Sequence, residues 1–284
     1  MLADPALKLS YPKYQVVTTS INGQDANQDP GTIGTLEKVT VNGYVSDYFG
    51  NKLDDFSGEI IPTVFDKEVK METLGNGEQT PITFKVQENV IYKGRASVNN
   101  GDFSFEFVVP KDIGIPVGFG KVSFYAKNEE LLQDQSGVSI NTVRIGGLNE
   151  NATQDDVGPV IALFMNDENF VSGGITNESP SLLAKLEDDN GINTASGIGH
   201  DIVAIIDGDE TNPFVLNDYY QTEVDDYKKG VVSFPFRDLE PGLHTLTLKA
   251  WDVYNNSSVT EIQFVVYDKD EELVINNVLN YPNP

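Results

Sequence analysis

Asn99-Asn100-Gly101-Asp102-Phe103-Ser104-Phe105-Glu106-Phe107-Val108-Val109 decides the fold class. Phe103, Phe105 and Phe107 alternate with Ser104 and Glu106, a period of two that puts three rings on one face of a strand. Asn-Gly just upstream is a favoured hairpin turn, because both residues tolerate positive φ. The run Val90–Val98 before the turn reads as the partner strand.

The same period recurs in both directions along the chain. In Leu36–Val45, Val39, Val41 and Gly43 share one face and Lys38, Thr40 and Asn42 the other, the pattern of a half-buried strand. Lys121–Ala126 is a further short strand. Asn22-Gly23 and Asn76-Gly77 are turn punctuation. No segment has helical periodicity, although Glu129–Gln135 is compatible with one helical turn. The polar stretch Asn149–Asp156 reads as a linker, and Gly158-Pro159 opens a new strand through Phe164. Leu243–Asp252 and Val259–Tyr267 are strands flanking the turn Tyr254–Ser257. This spacing of strands and turns is that of a β-sandwich.

The expected class is therefore all-β: two tandem β-sandwich domains, the second Ig-like. The expected division is an exit strand or linker over 1–12, a first sandwich over 13–148, a linker over 149–158, a second sandwich over 159–270 and a linker over 271–284. A length of 284 residues suits two domains of roughly 120–140 residues, each able to bury its own core.

Composition narrows the function. There is no cysteine, which excludes disulfides, thiol catalysis and Cys-based zinc sites. Forty-four acidic against 19 basic residues give a net charge of −25, so nucleic acid and anionic membranes are disfavoured partners. Solubility alone accounts for such a surface; calcium or a basic partner surface would complement it. With 39% apolar residues the chain is too hydrophobic for disorder. Met1–Ser10 lacks the basic and apolar segments of a signal peptide, and no apolar run approaches the ~20 residues of a membrane helix. The chain is expected to be a piece of a longer protein.

Glu187, Asp188, Asp189, Asn190 and Asp201 cluster hard oxygen ligands, and Asp188, Asp189 and Asp201 are candidate calcium ligands, although the spacing is not that of an EF-hand. Asx-turns or simple solvation explain the same residues. Asp207-Gly208-Asp209-Glu210 is a second acidic loop. His200 and His244 have no recognisable nucleophile partner, and neither G-x-S-x-G nor H-E-x-x-H occurs. Gly191, Gly197 and Gly199 suggest a tight excursion; without a following helix they do not form a phosphate loop. Trp251 is expected in the core, with an exposed carbohydrate platform as the alternative. Tyr219, Tyr220 and Tyr227 are either a partner patch or caps on a sandwich edge.

Four stretches carry a family resemblance: Asp4–Pro12, Phe107–Ile113, Leu186–Asn193 followed by Gly197–Ile202, and Ala250–Val253 with Asn255–Ser258. They resemble the C-terminal β region of the PorU family, the gingipain-like cysteine-peptidase sortases of the type IX secretion system in Bacteroidetes. The closing Tyr281-Pro282-Asn283-Pro284 is similar to the opening of a type IX sorting domain. The resemblance implies an upstream catalytic domain with a His–Cys dyad that cleaves sorting domains from secreted cargo and can join cargo to anionic lipopolysaccharide. No residue of this chain matches that dyad.

The resemblance thus implies a non-catalytic structural and docking module, exported to the cell surface and associated with the outer membrane. Its implied partners are an outer-membrane β-barrel shuttle protein and the parent's adjoining catalytic and sorting domains. A cell-surface adhesin or carbohydrate-binding Ig-like tandem is the alternative.

Overall fold

The computed structural model describes residues 14–29, 31–76, 80–130, 133–195 and 199–267. The expected exit strand over 1–12, the tail over 271–284 and Gly197 lie outside the described residues. Within them every regular element is a strand except one 3₁₀ turn, Asn217–Tyr219.

The first half contains β1 (Tyr14–Ile21), β2 (Gln24–Asp25), β3 (Thr32–Thr35), β4 (Lys38–Asp47), β5 (Gly58–Phe65), β6 (Val69–Glu72), β7 (Thr83–Val86), β8 (Val90–Lys93), β9 (Ala96–Asn99), β10 (Asp102–Val108), β11 (Gly118–Asn128) and β12 (Gln133–Leu148). Ten of these form one sheet in the order β2-β1-β4-β10-β9-β5-β11-β12-β3, with β8 also on β5. Its two end strands, β2 and β3, are consecutive in sequence. Laid flat, the eight inter-strand steps of that order would span about 38 Å at ~4.8 Å each. The seven residue steps from Asp25 to Thr32 reach at most about 25 Å. The sheet must therefore fold over on itself, and it does, bringing β1 against β12.

The folded sheet encloses the rings read from the sequence. Phe103, Phe105 and Phe107 are all buried, and Phe107 stacks on Tyr92 at 4.6 Å. Removing each such side chain from water contributes about 1.5–3 kcal/mol. Across the pairing of β10 with β4, Phe103 lies opposite Gly43 and its ring covers that glycine; a Cβ there would collide with the ring edge. The Asn100-Gly101 turn has φ of 50° and 81°, the left-handed pair that a two-residue hairpin requires.

Two local expectations are corrected. Val90–Val98 is not one strand: it breaks at Gly94-Arg95 into β8 and β9, and at the break Arg95 donates its backbone N–H to Thr222 Oγ1 of the second half at 2.9 Å. Among the described residues of Glu129–Gln135 there is no helical turn. Glu129 and Glu130 lie in the turn between antiparallel β11 and β12, and Gln133 and Gln135 already belong to β12.

The second half contains β13 (Val160–Met165), β14 (Gly174–Thr176), β15 (Ser181–Glu187), β16 (Val203–Ile206), β17 (Phe214–Val215), β18 (Tyr220–Glu223), β19 (Asp226–Pro235), β20 (Gly242–Trp251) and β21 (Ser257–Val266). Sheets β13-β15-β19-β18 and β14-β21-β20-β16-β17 face each other across Leu182, Leu186, Val232, Leu246, Leu248 and Phe264. Leu246, Leu248 and Ala250 point inward, so the period of two turns Trp251 outward. Trp251 is accordingly not a core residue. It is half-buried, with Lys249 Nζ 4.3 Å above its ring and the His200 ring 4.4 Å away.

Candidate metal centre

The seam between the halves is built from loops at strand ends. Val108, Val253 and Tyr254 form a small buried apolar cluster there, with Leu36 and Tyr227 against it. Lys111 N–H donates to the Val253 carbonyl at 2.9 Å, and Ser97 N–H to Asp225 Oδ1 at 2.7 Å. Asp112 is the polar hub: its carboxylate accepts from Asn255 Nδ2 (2.7 Å), Asn193 Nδ2 (3.0 Å) and His200 Nδ1 (2.7 Å).

Beside this hub lie three carboxylates. Asp155, Asp188 and Asp252 each place one oxygen so that all lie within 4.8 Å of one another. Asp155 belongs to the strandless stretch before β13. Asp188 directly follows β15 and Asp252 directly follows β20. Two turns hold the latter pair in place. Asp188 Oδ1 accepts the N–H groups of Asn190 (2.8 Å) and Gly191 (3.1 Å). Asp252 Oδ1 accepts those of Tyr254 (2.9 Å) and Asn256 (2.7 Å). The turns are zipped to each other by Val253 N–H to the Gly191 carbonyl (3.1 Å) and Asn193 N–H to the Trp251 carbonyl (2.8 Å). Gly191 carries φ of 105° and would meet the Tyr227 ring at 3.1 Å with any Cβ, so this turn requires glycine.

Two asparagines tie Asp155 to the turns. Asn190 Nδ2 donates to Asp155 Oδ2 at 2.6 Å. Asn256 Nδ2 donates to the Asp155 carbonyl (3.1 Å) and to Asp252 Oδ2 (2.8 Å). Asp252 is fully buried and Asp188 only 8% exposed. Burial pushes Asp188 up to about 6, against the Asn190 N–H that favours its charge, with Asp252 and Asp155 adding repulsion. Asp252 is raised chiefly by burial. Among the described residues no Lys, Arg or His forms an ion pair with any of the three. A set of hard, charged oxygens with no counter-charge is chemically suited to a divalent cation.

Of the sequence candidates, only Asp188 joins this cluster. Asp189 is exposed, 3.9 Å from Lys228. Asp201 is half-buried, with Oδ1 enclosed and without a hydrogen-bond partner. The second acidic loop is committed elsewhere: Asp207 Oδ2 pairs with His244 Nδ1 at 2.7 Å, and Asp209 Oδ1 accepts Thr211 N–H. Asp155 and Asp252 were missed as ligands because tens of residues separate the three aspartates in sequence. The signals present were the polar linker for Asp155 and the Asp-x-Tyr-Asn-Asn turn for Asp252. The tyrosines do not form a patch: Tyr219 is exposed, Tyr220 buried and Tyr227 half-buried at the seam.

No protein-family model and no curated protein matches the chain. Among solved structures it is 35% identical to dimeric latent PorU from Porphyromonas gingivalis, covering 95% of this chain with a TM-score of 0.54. The match takes in 26% of that PorU chain, so this chain spans about a quarter of its length. It is 10% identical to the fibronectin(III)-like modules of Clostridium thermocellum CbhA (93% of this chain, 100% of that one, TM-score 0.26). Against red sea bream transglutaminase the identity is 12% (92% of this chain, 32% of that one, TM-score 0.26).

Proposed function

This chain is a PorU-like C-terminal β region, and we propose that it serves as a non-catalytic spacing and docking module of a gingipain-type sortase of the type IX secretion system. It would hold the parent's peptidase domain at the outer-membrane surface by binding a β-barrel shuttle protein. The observation that carries this reading is the match of nearly the whole chain, at 35% identity, to a quarter of a much longer PorU. The hydrogen-bonded seam supports the spacing role, because two halves joined through Asp112, Arg95 and Ser97 keep a fixed geometry.

The docking role is supported by the ribbon of β6 and β7, which stands apart from both sandwiches as a two-stranded sheet. Its register sets Val69 opposite Val86 and Met71 opposite Phe84, all on one face. Thr73 N–H bonds the Ile82 carbonyl and extends that face. The other face carries Lys70, Glu72, Thr83 and Lys85, with Lys85 paired to Glu68 at 2.6 Å. Val69, Met71, Ile82 and Phe84 are exposed. An isolated ribbon is marginal in water, and an uncovered apolar face on one marks a contact surface.

The adhesin alternative gains no support: Trp251 is flanked by Lys249 and His200, and Tyr220 is buried. The test is deletion of this region from the parent, with surface positioning and capture of an identified β-barrel partner as readouts. Loss of both is expected; if both are unchanged, the docking reading fails.

A further inference from the structure

We propose that the cleft between β18 and the outer face of β5, β8 and β11 binds a small oxyanion of two negative charges, phosphoryl or dicarboxylate, through Lys93 and Lys127. The strand register builds the cleft. Ile60 and Ala126 are paired across β5 and β11 and face the first core. Their neighbours Glu59 and Lys127, also paired, therefore face out into the cleft. The break at Gly94-Arg95 brings Lys93 and Arg95 to the same space, and Tyr220 and Gln221 of β18 form the opposite wall. The volume is about 220 Å³, at a meeting of two domains, where ligand clefts commonly form.

The sign of the cleft is opposite to that of the molecule. The chain carries a net charge of −25, yet Lys93, Arg95 and Lys127 line the cleft against a single carboxylate, Glu59. That carboxylate is committed: Arg95 Nε and Nη2 donate to Glu59 Oε1 and Oε2 at 2.7 and 2.8 Å, and this pairing holds Glu59 below the usual carboxylate range. Lys93 is exposed and forms no ion pair among the described residues. Lys127 pairs with Glu129 at 2.7 Å, but Glu129 lies largely in solvent, and such a pair contributes little. Two ammonium groups are thus open to an anion, and a cleft lined by one sign of charge concentrates the opposite sign. A separate observation points to a ligand. Tyr220 is 4% exposed and lines the cleft, and its hydroxyl is enclosed without a hydrogen-bond partner among the described residues. A buried hydroxyl left unbonded is costly, and an oxyanion seated against Tyr220 would accept its hydrogen bond. Lysines act as point charges, so they take phosphoryl and carboxylate oxygens alike. The bound anion would tie β8 and β11 of one half to β18 of the other. The inference is independent of the docking proposal.

The experiment titrates the whole purified chain with sodium phosphate and, separately, with sodium succinate, by calorimetry and by thermal unfolding. Sodium chloride at matched ionic strength is the reference, because salt alone screens so acidic a chain. Saturable binding at one site is expected with at least one of the two anions, with Tm rising by roughly 5 °C over chloride at a hundredfold excess over Kd. Phosphate alone would identify a phosphoryl ligand, succinate alone a dicarboxylate, and both the shared chemistry. Lys93→Gln and Lys127→Gln should each weaken binding at least about fivefold, the loss of a hydrogen bond to a charged group, and shift Tm in chloride by no more than about 2 °C. Tyr220→Phe should weaken binding and raise Tm in chloride, because it removes the unbonded hydroxyl. A folded wild-type chain that responds to neither anion beyond chloride at millimolar concentration overturns the proposal. So does a response that the Lys93→Gln, Lys127→Gln double variant keeps in full.

Discussion

Asp112 and His200 meet across the seam, Oδ2 to Nδ1 at 2.7 Å, and Asp112 is the point where three side chains from two loops of the second half converge on the first. Replacing it by alanine strands Asn193 and Asn255 as well as His200. Asp112→Ala is expected to cost about 2–3 kcal/mol, since it deletes hydrogen bonds to a charged acceptor that is largely buried. Chemical denaturation measures the loss, and limited proteolysis of the stretch 149–159 should quicken with it. An unaltered midpoint would mean that the apolar contacts of Val108, Val253 and Tyr254 hold the seam alone.

His244 supplies a pH dependence. Burial opposes its charge, yet the Glu240 carbonyl at Nε2 and the Asp207 carboxylate at Nδ1 outweigh burial and raise its pKa above the ordinary 6.5. A histidine whose folded pKa lies above its unfolded one stabilises the fold fully below the unfolded value. That contribution is lost as pH rises through the folded value. Tm measured across this window should fall from the His244 contribution, and His244→Gln should remove that part of the slope. A variant with the same slope as wild type would assign the dependence to another group.

Phe107 tests the core of the first half. It is buried, stacked on Tyr92 and opposite Val39 on β4. Phe107→Ala is expected to destabilise by about 3–5 kcal/mol, lost transfer energy plus a cavity. Equilibrium denaturation is the measurement, and a loss under about 1 kcal/mol would show that the folded sheet collapses into the space.

The ribbon separates stability from contact. Met71→Lys and Phe84→Lys change exposed residues, so folding stability should move by no more than about 0.5 kcal/mol. Capture of the β-barrel partner should nevertheless drop at least tenfold. Undiminished capture by the double variant, with the fold intact, would move the docking surface elsewhere.

The strands were legible because each half-buried strand writes its period of two directly into the sequence, as Phe103–Phe107 and Val39–Gly43 do. The break at Gly94-Arg95 was not, because the contact made there is with Thr222, a residue far along the chain. Trp251 was misplaced by one step of that same period: its neighbours Leu248 and Ala250 face the core, and it does not. The candidate site was half legible. Asp188 stood out in an acidic run, but Asp189 beside it faces solvent, and adjacency could not tell them apart. Asp155 and Asp252 become its neighbours only when two sheets and a connecting stretch have packed.

The position of β3 has a consequence for how the chain is made. Its partner is β12, with Ile33 beside Ile145 in a parallel pairing that closes the first half. More than a hundred residues must emerge before that pairing exists. Until then β1 to β11 can assemble only as an open sheet, with the inner faces of Phe103, Phe105 and Phe124 incompletely covered. Vectorial synthesis thus leaves this half an unfinished and adhesive intermediate over most of its length, a slow, non-local closure that a holding chaperone would shorten in lifetime or shield.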